Sequence, residues 1–219
     1  MIRPWEQPST GPAAAFAASL CALIPAIETG NLRLRAPRIG DFDDWAAIEC
    51  DERGRYLGGP MRREDSWLDF TQATATWLLR GHGLWSVESK ADRALFGFVL
   101  IGFEPGDHEP ELGYLFSEAA EGRGLALEAA RAARSHAFDT LGWDTLVSYI
   151  DHGNDRSVRL AERLGATRDQ GAEAAFDEPV LVYRHQREGR ARQSAPTSAR
   201  RLPYVLPTFC RPRTGGHDE

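Results

Sequence analysis

Only three cysteines, Cys21, Cys50 and Cys210, stand in 219 residues, far apart and without a C-x-x-C pair. That excludes a disulfide framework and argues against a structural zinc site. It suits a reducing compartment, so a cytoplasmic protein is expected. The six histidines form no H-x-x-x-H or H-x-H pair, and no metal is expected. No apolar run reaches the ~18–20 residues of a membrane span, which excludes an integral membrane protein. The apolar stretch Ala13–Ile27 follows Arg3, but Glu6 and prolines interrupt it and no clean A-x-A ending closes it. It reads as a short helix or a loose extension rather than a secretory signal. No G-x-S-x-G elbow or persuasive Cys–His pair offers a covalent nucleophile.

What is present is ordinary for a soluble globular chain, with 42% hydrophobic and 26% charged residues. At roughly 150 residues per domain, the length predicts one domain plus extra chain. The net charge of −6 argues against a general nucleic-acid coat, which needs a basic surface to displace phosphate counterions. The charge is uneven: residues 1–27 are neutral, residues 28–185 carry −10, and the chain from Gln186 onward carries +4. The chain thus divides into an N-terminal extension (1–27), an acidic body (28–185) and a basic tail (186–219). The tail is rich in Arg, Pro, Ser, Thr and Gly, so disorder is expected there. A tether to RNA through this tail is the single route to nucleic acid; a merely solvated tail is the plainer reading.

Within the body, the L-R-L-R alternation around Leu32 and Leu34 predicts a half-buried strand, and Asp41 is placed to cap the helix that follows. Trp67, Phe70, Thr74, Trp77 and Leu78 recur at spacings of three and four, a second helix closed by Gly81. Leu84–Glu88 and Leu95–Phe103 form a hairpin pattern, and Glu111–Ser117 a third strand. An Ala-rich helix from Gly124 to Thr140, a strand over Thr145–Asp151, a helix over Asn154–Leu164 and a strand over Pro179–His185 complete the body. A further strand near Arg168 is an option. The order β-α-α-β-β-β-α-β-α-β predicts an α/β (α+β) fold with a mixed sheet and helices on both faces.

Chemistry concentrates where the third strand meets the Ala-rich helix, in Glu111-Leu-Gly-Tyr-Leu-Phe-Ser117 followed by Glu121-Gly-Arg-Gly-Leu-Ala126. Gly122 and Gly124 leave the first helical amides uncovered, which makes an anion site, and Arg123 adds a positive charge. A tight strand-to-helix turn alone explains the glycines equally well. In the next β-α unit Asn154 opens a helix and Ser157 follows three residues on, which is also ordinary capping chemistry.

Taken together, Glu28-Thr-Gly-Asn-Leu-Arg-Leu-Arg35 with Asp41, Glu111-Leu-Gly-Tyr114, Gly122-Arg-Gly-Leu-Ala-Leu-Glu-Ala129 and Asn154-x-x-Ser157 with Leu164-Gly165 resemble the GNAT superfamily of N-acetyltransferases. The nearest branch is the RimJ/RimL-like one, which includes enzymes acetylating ribosomal-protein N-termini. The resemblance covers about residues 28–185. It implies a splayed, mostly antiparallel sheet, with acetyl-CoA as co-substrate between the Glu111–Ser117 and Thr145–Asp151 strands. It further implies that the backbone of Leu115, Phe116 and Ser117 pairs with the pantetheine arm. Amides of Gly122, Arg123, Gly124, Leu125 and Ala126 would hold the pyrophosphate. Asn154 would steady the pantetheine, and Ser157 would protonate the leaving thiolate. Glu121 departs from the family's usual loop start, and an acid there opposes phosphate if it points inward.

Acetyl transfer to nitrogen needs a neutral amine. At pH 7 this costs roughly 4.6 kcal/mol for a lysine and roughly 1.4 kcal/mol for an α-amine. Glu111 is the candidate base, directly or through water, with Asp177 and Glu178 as rivals and a solvated acid as the plain alternative. Tyr114 reads as core beside Leu112 and Phe116. The loop Arg53–Pro60 is expected to border the acceptor site, where Arg55 and Tyr56 either read a substrate or serve as ordinary surface residues. The expected function is acetyl-CoA-dependent transfer to a primary amine, with a non-catalytic acyl-CoA-sensing module as the competing reading.

Overall fold

The computed structural model describes residues 3–187, so nearly all of the basic tail lies outside the described residues. Helix α1 (Gly11–Leu23) buries none of its residues, although it lies in the apolar N-terminal stretch. After it, β1 (Ile27–Glu28) pairs antiparallel with β2 (Leu32–Arg35), Ile27 opposite Leu34. Strand β1 and a later one-turn helix, α6 (Gln170–Glu173), were not foreseen, because two to four residues carry no periodicity of their own.

Helices α2 (Phe42–Glu49) and α3 (Arg63–Arg80) follow, then β3 (Leu84–Ser89), β4 (Leu95–Gly102) and β5 (Glu111–Phe116). Successive strand side chains point to opposite faces, and the sequence uses both. Leu84, Phe98, Leu100 and Leu115 pack under Phe42, Trp45 and Phe70 of α2 and α3. Trp85, Val87, Val99, Ile101 and Leu112 pack under Ala129, Ala130 and Ala133 of α4 (Leu125–Ser135) on the other face. The small alanines let that helix lie close to the sheet. The helix expected to reach Thr140 instead widens into a π turn over His136–Thr140.

Beyond it come β6 (Val147–Asp151), α5 (Asp155–Arg163), β7 (Thr167–Arg168) and, after α6, β8 (Val180–Arg184). The strand order in the eight-stranded sheet is β1-β2-β3-β4-β5-β6-β8-β7. Every neighbouring pair is antiparallel except β5 with β6. This is the mixed sheet with helices on both faces that the element order implied. Among the described residues, no helix is long and apolar enough to cross a membrane.

Asp41 does not cap α2 with its side chain. Its carboxylate takes both terminal nitrogens of Arg35, at 2.7 and 2.9 Å, together with the Ser86 hydroxyl at 2.7 Å. Arg35 also reaches Glu88 at 2.7 Å. A buried arginine is the stronger claim on a carboxylate than an exposed helix start, because an unpaired buried charge is far costlier than an uncapped amide.

Candidate active site

Strands β5 and β6 pair through one register only, Glu111 with Val147, after which no further pair joins them. The gap between their diverging arms opens a cleft of about 790 Å³. Its walls come from β5, the start of α4, the Gly153–Leu160 segment leading into α5, and the short turn Glu52–Tyr56. Ile150, Ala161, Leu181 and Tyr183 cluster together and seat α5 on β6 and β8.

The β5 wall is selective about which backbone groups it offers. The Ser117 N–H donates to the Phe96 carbonyl at 2.9 Å, and the Ser117 hydroxyl uses the same oxygen at 3.1 Å. The Leu115 carbonyl also faces β4, so close that a Cβ on Gly97 would meet it at 2.3 Å. Alternation along a strand then turns the Phe116 N–H and carbonyl toward the cleft. Of the three residues expected to pair with a ligand, only Phe116 has its main chain turned that way.

At the far end of this wall Gly122 and Gly124 have φ of 70° and 76°, left-handed values that burden any side chain. Gly124 precedes the first turn of α4, and no side chain caps that turn. The N–H groups of Leu125, Ala126 and Leu127 therefore lack intrahelical partners and carry the positive end of the helix dipole. The Arg123 side chain, expected beside them, goes elsewhere. Leu125 is buried in the core, and Arg123 donates to the Ala119 carbonyl at 3.2 Å while lying over the Phe96 ring.

Positive charge comes instead from Arg53, Arg55, Arg156, Arg159 and Arg163, all of which line the cleft. The last three lie at spacings of three and four along α5, a stripe visible in the sequence but not singled out there. Glu121 points inward and is paired, with Arg53 at 2.5 Å and Arg156 at 2.8 Å. The Arg53 hydrogen bond holds its carboxyl below the ordinary carboxylate value.

On the opposite wall the Asn154 side-chain oxygen accepts from the Ser157 N–H at 3.3 Å, capping α5. Ser157 lines the cleft beside Tyr114, whose hydroxyl donates to the Ser157 carbonyl at 3.1 Å. Tyr114 thus packs against the core, as expected, and also faces the cleft. Burial and the nearby Glu111 charge push its hydroxyl well above its usual value, so it positions its neighbours rather than giving up its proton.

Glu111 sits where the arms part and does not line the cleft itself. Burial first, then the charges of Glu104 and Asp107, push its carboxyl well above the ordinary value, opposed by the Tyr149 backbone N–H. Asp177 and Glu178 are exposed and lie outside the cleft lining. Arg55 and Tyr56 both line it, and Tyr56 donates to the Gly153 carbonyl at 2.9 Å. The buried pair Ser148 and His185 is no nucleophile and base. The Ser148 hydroxyl donates to the Leu112 carbonyl at 2.7 Å, and burial pushes His185 down to about 3.

Comparison with known proteins fits this geometry. Residues 31–167 match the family model described as an acetyltransferase (GNAT) domain. The crystal structure of an acetyltransferase from Agrobacterium tumefaciens str. C58 is 37% identical, with a TM-score of 0.70, covering 75% of this chain and 95% of that one. The protein YkkB of Bacillus subtilis (strain 168) is 29% identical over 56% of this chain and 70% of its own length. RimL, a ribosomal L7/L12 alpha-N-protein acetyltransferase in complex with coenzyme A, is 17% identical with a TM-score of 0.59, covering 74% of this chain and 97% of that one. At that identity it shows the shared fold.

Proposed function

The chain belongs to the GNAT acetyltransferase family, and on that premise we propose that it moves the acetyl group of acetyl-CoA directly to a primary amine on a protein N-terminus or a small molecule. The observation that carries this reading is the cleft where β5 leaves β6. It has a strand edge at Phe116 that no neighbouring strand covers, an uncapped helix start after Gly124 and a hydroxyl at Ser157.

The residues present fit such a ligand. No atom beyond the chain neighbours lies within 4 Å of a Cβ built on Gly122 or Gly124, so the anion cradle is open. The N–H groups of Leu125, Ala126 and Leu127 would hold the diphosphate, and the Phe116 main chain would pair with the pantetheine arm. Acetyl-CoA supplies an activated thioester carbonyl when bound. Asn154, by capping α5, keeps the Ser157 hydroxyl at the cleft, where it would deliver a proton to the departing sulfur.

Glu111, set back from the cleft lining, would take the proton of the incoming ammonium through water. A cation in the cleft favours the ionised form of this carboxylate, which burial and the charges of Glu104 and Asp107 otherwise oppose.

The test is a panel of amines, α-amino peptides and small polyamines among them, incubated with acetyl-CoA while released thiol is read. Acetylated amine and thiol in equal amounts are expected, with Ser157→Ala much slower. Coenzyme binding without transfer to any amine would establish the sensing module instead.

A further inference from the structure

Arg53 is unusual among the cleft residues because it occupies the main-chain acceptor that a ligand would need. One of its terminal nitrogens donates both to the Phe116 carbonyl at 3.2 Å and to Glu121 at 2.5 Å. Arg156 reaches the same Glu121 carboxylate from the opposite wall at 2.8 Å. A single acid, placed directly before Gly122 and Gly124, therefore joins two arginines across the cleft mouth.

The backbone under Arg53 is fixed. A Cβ on Gly54 would meet the Glu49 carbonyl at 2.2 Å, so the turn packs directly onto the end of α2. Tyr56 fastens the other end to Gly153. Clearing the Phe116 carbonyl thus requires only the Arg53 side chain to swing. Glu121 is 42% exposed, so water can receive its carboxylate once the arginines leave.

We propose that Glu121 is an internal stand-in for the coenzyme's phosphates: it holds Arg53 and Arg156 across the cleft until a nucleoside diphosphate takes both, and Arg53 then vacates the Phe116 carbonyl. The inference rests on the coenzyme reading above and adds a role for three residues to it. The exchange is non-covalent. Two guanidinium groups trade a carboxylate for phosphate oxygens, which carry more charge and also meet the free amides of α4. A ligand without phosphates cannot recruit Arg53 and must displace it unaided.

The prediction is an opposite response to two probes, measured by calorimetry on the full chain: coenzyme A, and S-acetylpantetheine, which has no phosphate. Arg53→Ala should bind coenzyme A about tenfold more weakly but S-acetylpantetheine more tightly than the parent. Glu121→Ala should bind coenzyme A about tenfold more tightly. If Arg53→Ala shifts both probes the same way, or Glu121→Ala leaves coenzyme A affinity unchanged or lower, the exchange is overturned. Failure of the parent to bind coenzyme A would overturn the coenzyme reading itself, before any variant is compared. Melting curves accompany each variant, and Arg53→Gln repeats the test if Arg53→Ala melts early.

Discussion

The hydroxyl of Tyr114 donates to the carbonyl oxygen of Ser157 at 3.1 Å. Tyr114 belongs to β5 and Ser157 to α5, so this bond ties one wall of the cleft to the other below its opening. It sets how far the α5 start stands from the strand edge at Phe116. A widened cleft moves the Ser157 hydroxyl away from the sulfur it serves, and misplacement of about an ångström can cost two orders of magnitude in rate.

Tyr114→Phe removes that bond and keeps the ring packing. The variant should lose about 1 kcal/mol of stability and about tenfold in kcat, with coenzyme affinity changed by less than about twofold. Steady-state kinetics beside calorimetry make the distinction. A fall in affinity with kcat intact would mean that the tyrosine shapes the coenzyme wall, not the reacting end.

Glu111 should leave its mark on the pH profile. A base must be ionised, and this carboxyl is raised by burial and by Glu104 and Asp107. The rate of the parent should therefore climb as pH rises through the Glu111 value, well above the ordinary 4.5. Glu111→Gln should lower kcat/KM about a hundredfold and remove this limb, leaving only the slope from the amine. Superimposable profiles for parent and variant would pass the proton to water.

Gly124 offers a sharper test of the coenzyme wall. Gly124→Asp puts a β-carbon on a φ of 76° and a negative charge in front of the free amides of α4. Coenzyme affinity should fall at least about tenfold, with a modest fall in melting temperature from backbone strain. Gly124→Ala separates the two effects, since it carries the strain without the charge. Equal affinity in Gly124→Asp and Gly124→Ala would remove the anion site from this helix start.

Much of the frame was legible because it rests on period and punctuation. The L-R-L-R alternation of β2, the β-rich runs of β3 and β4, the Ala-rich face of α4 and the glycines at 122 and 124 each declare themselves locally. What stayed hidden depends on contacts distant in sequence. Asp41 looks like a helix cap until Arg35 and Ser86 are seen to claim it. Arg123 looks like the phosphate partner by adjacency, yet Phe96 and Ala119 hold it, while Arg53 arrives from a loop about seventy residues away. Ser117 and Phe116 are indistinguishable as strand residues; which one faces the cleft follows only from the register with β4. Glu121, an awkward residue in the sequence, becomes intelligible once its two arginines are seen.

The last prediction concerns stability, at the residue on which the Arg53 turn rests. Glu49 is 2% exposed, and its Oε2 accepts from Trp45 at 2.5 Å and from Ser66 at 2.7 Å. Burial, with Asp69 alongside, pushes its carboxyl up to about 8 from the ordinary 4.5. Between these values the folded chain holds a proton that the unfolded chain releases, so stability falls as pH rises through the window and levels off above it. Glu49→Gln keeps an acceptor for Trp45 and Ser66 and can turn its amide nitrogen toward Asp69. The variant should therefore match the parent near about pH 4.5 and exceed it increasingly toward about pH 8. Urea unfolding across that range reads the difference. A gap independent of pH would show that Glu49 folds as a carboxylate, held by its two donors against the cost of burial.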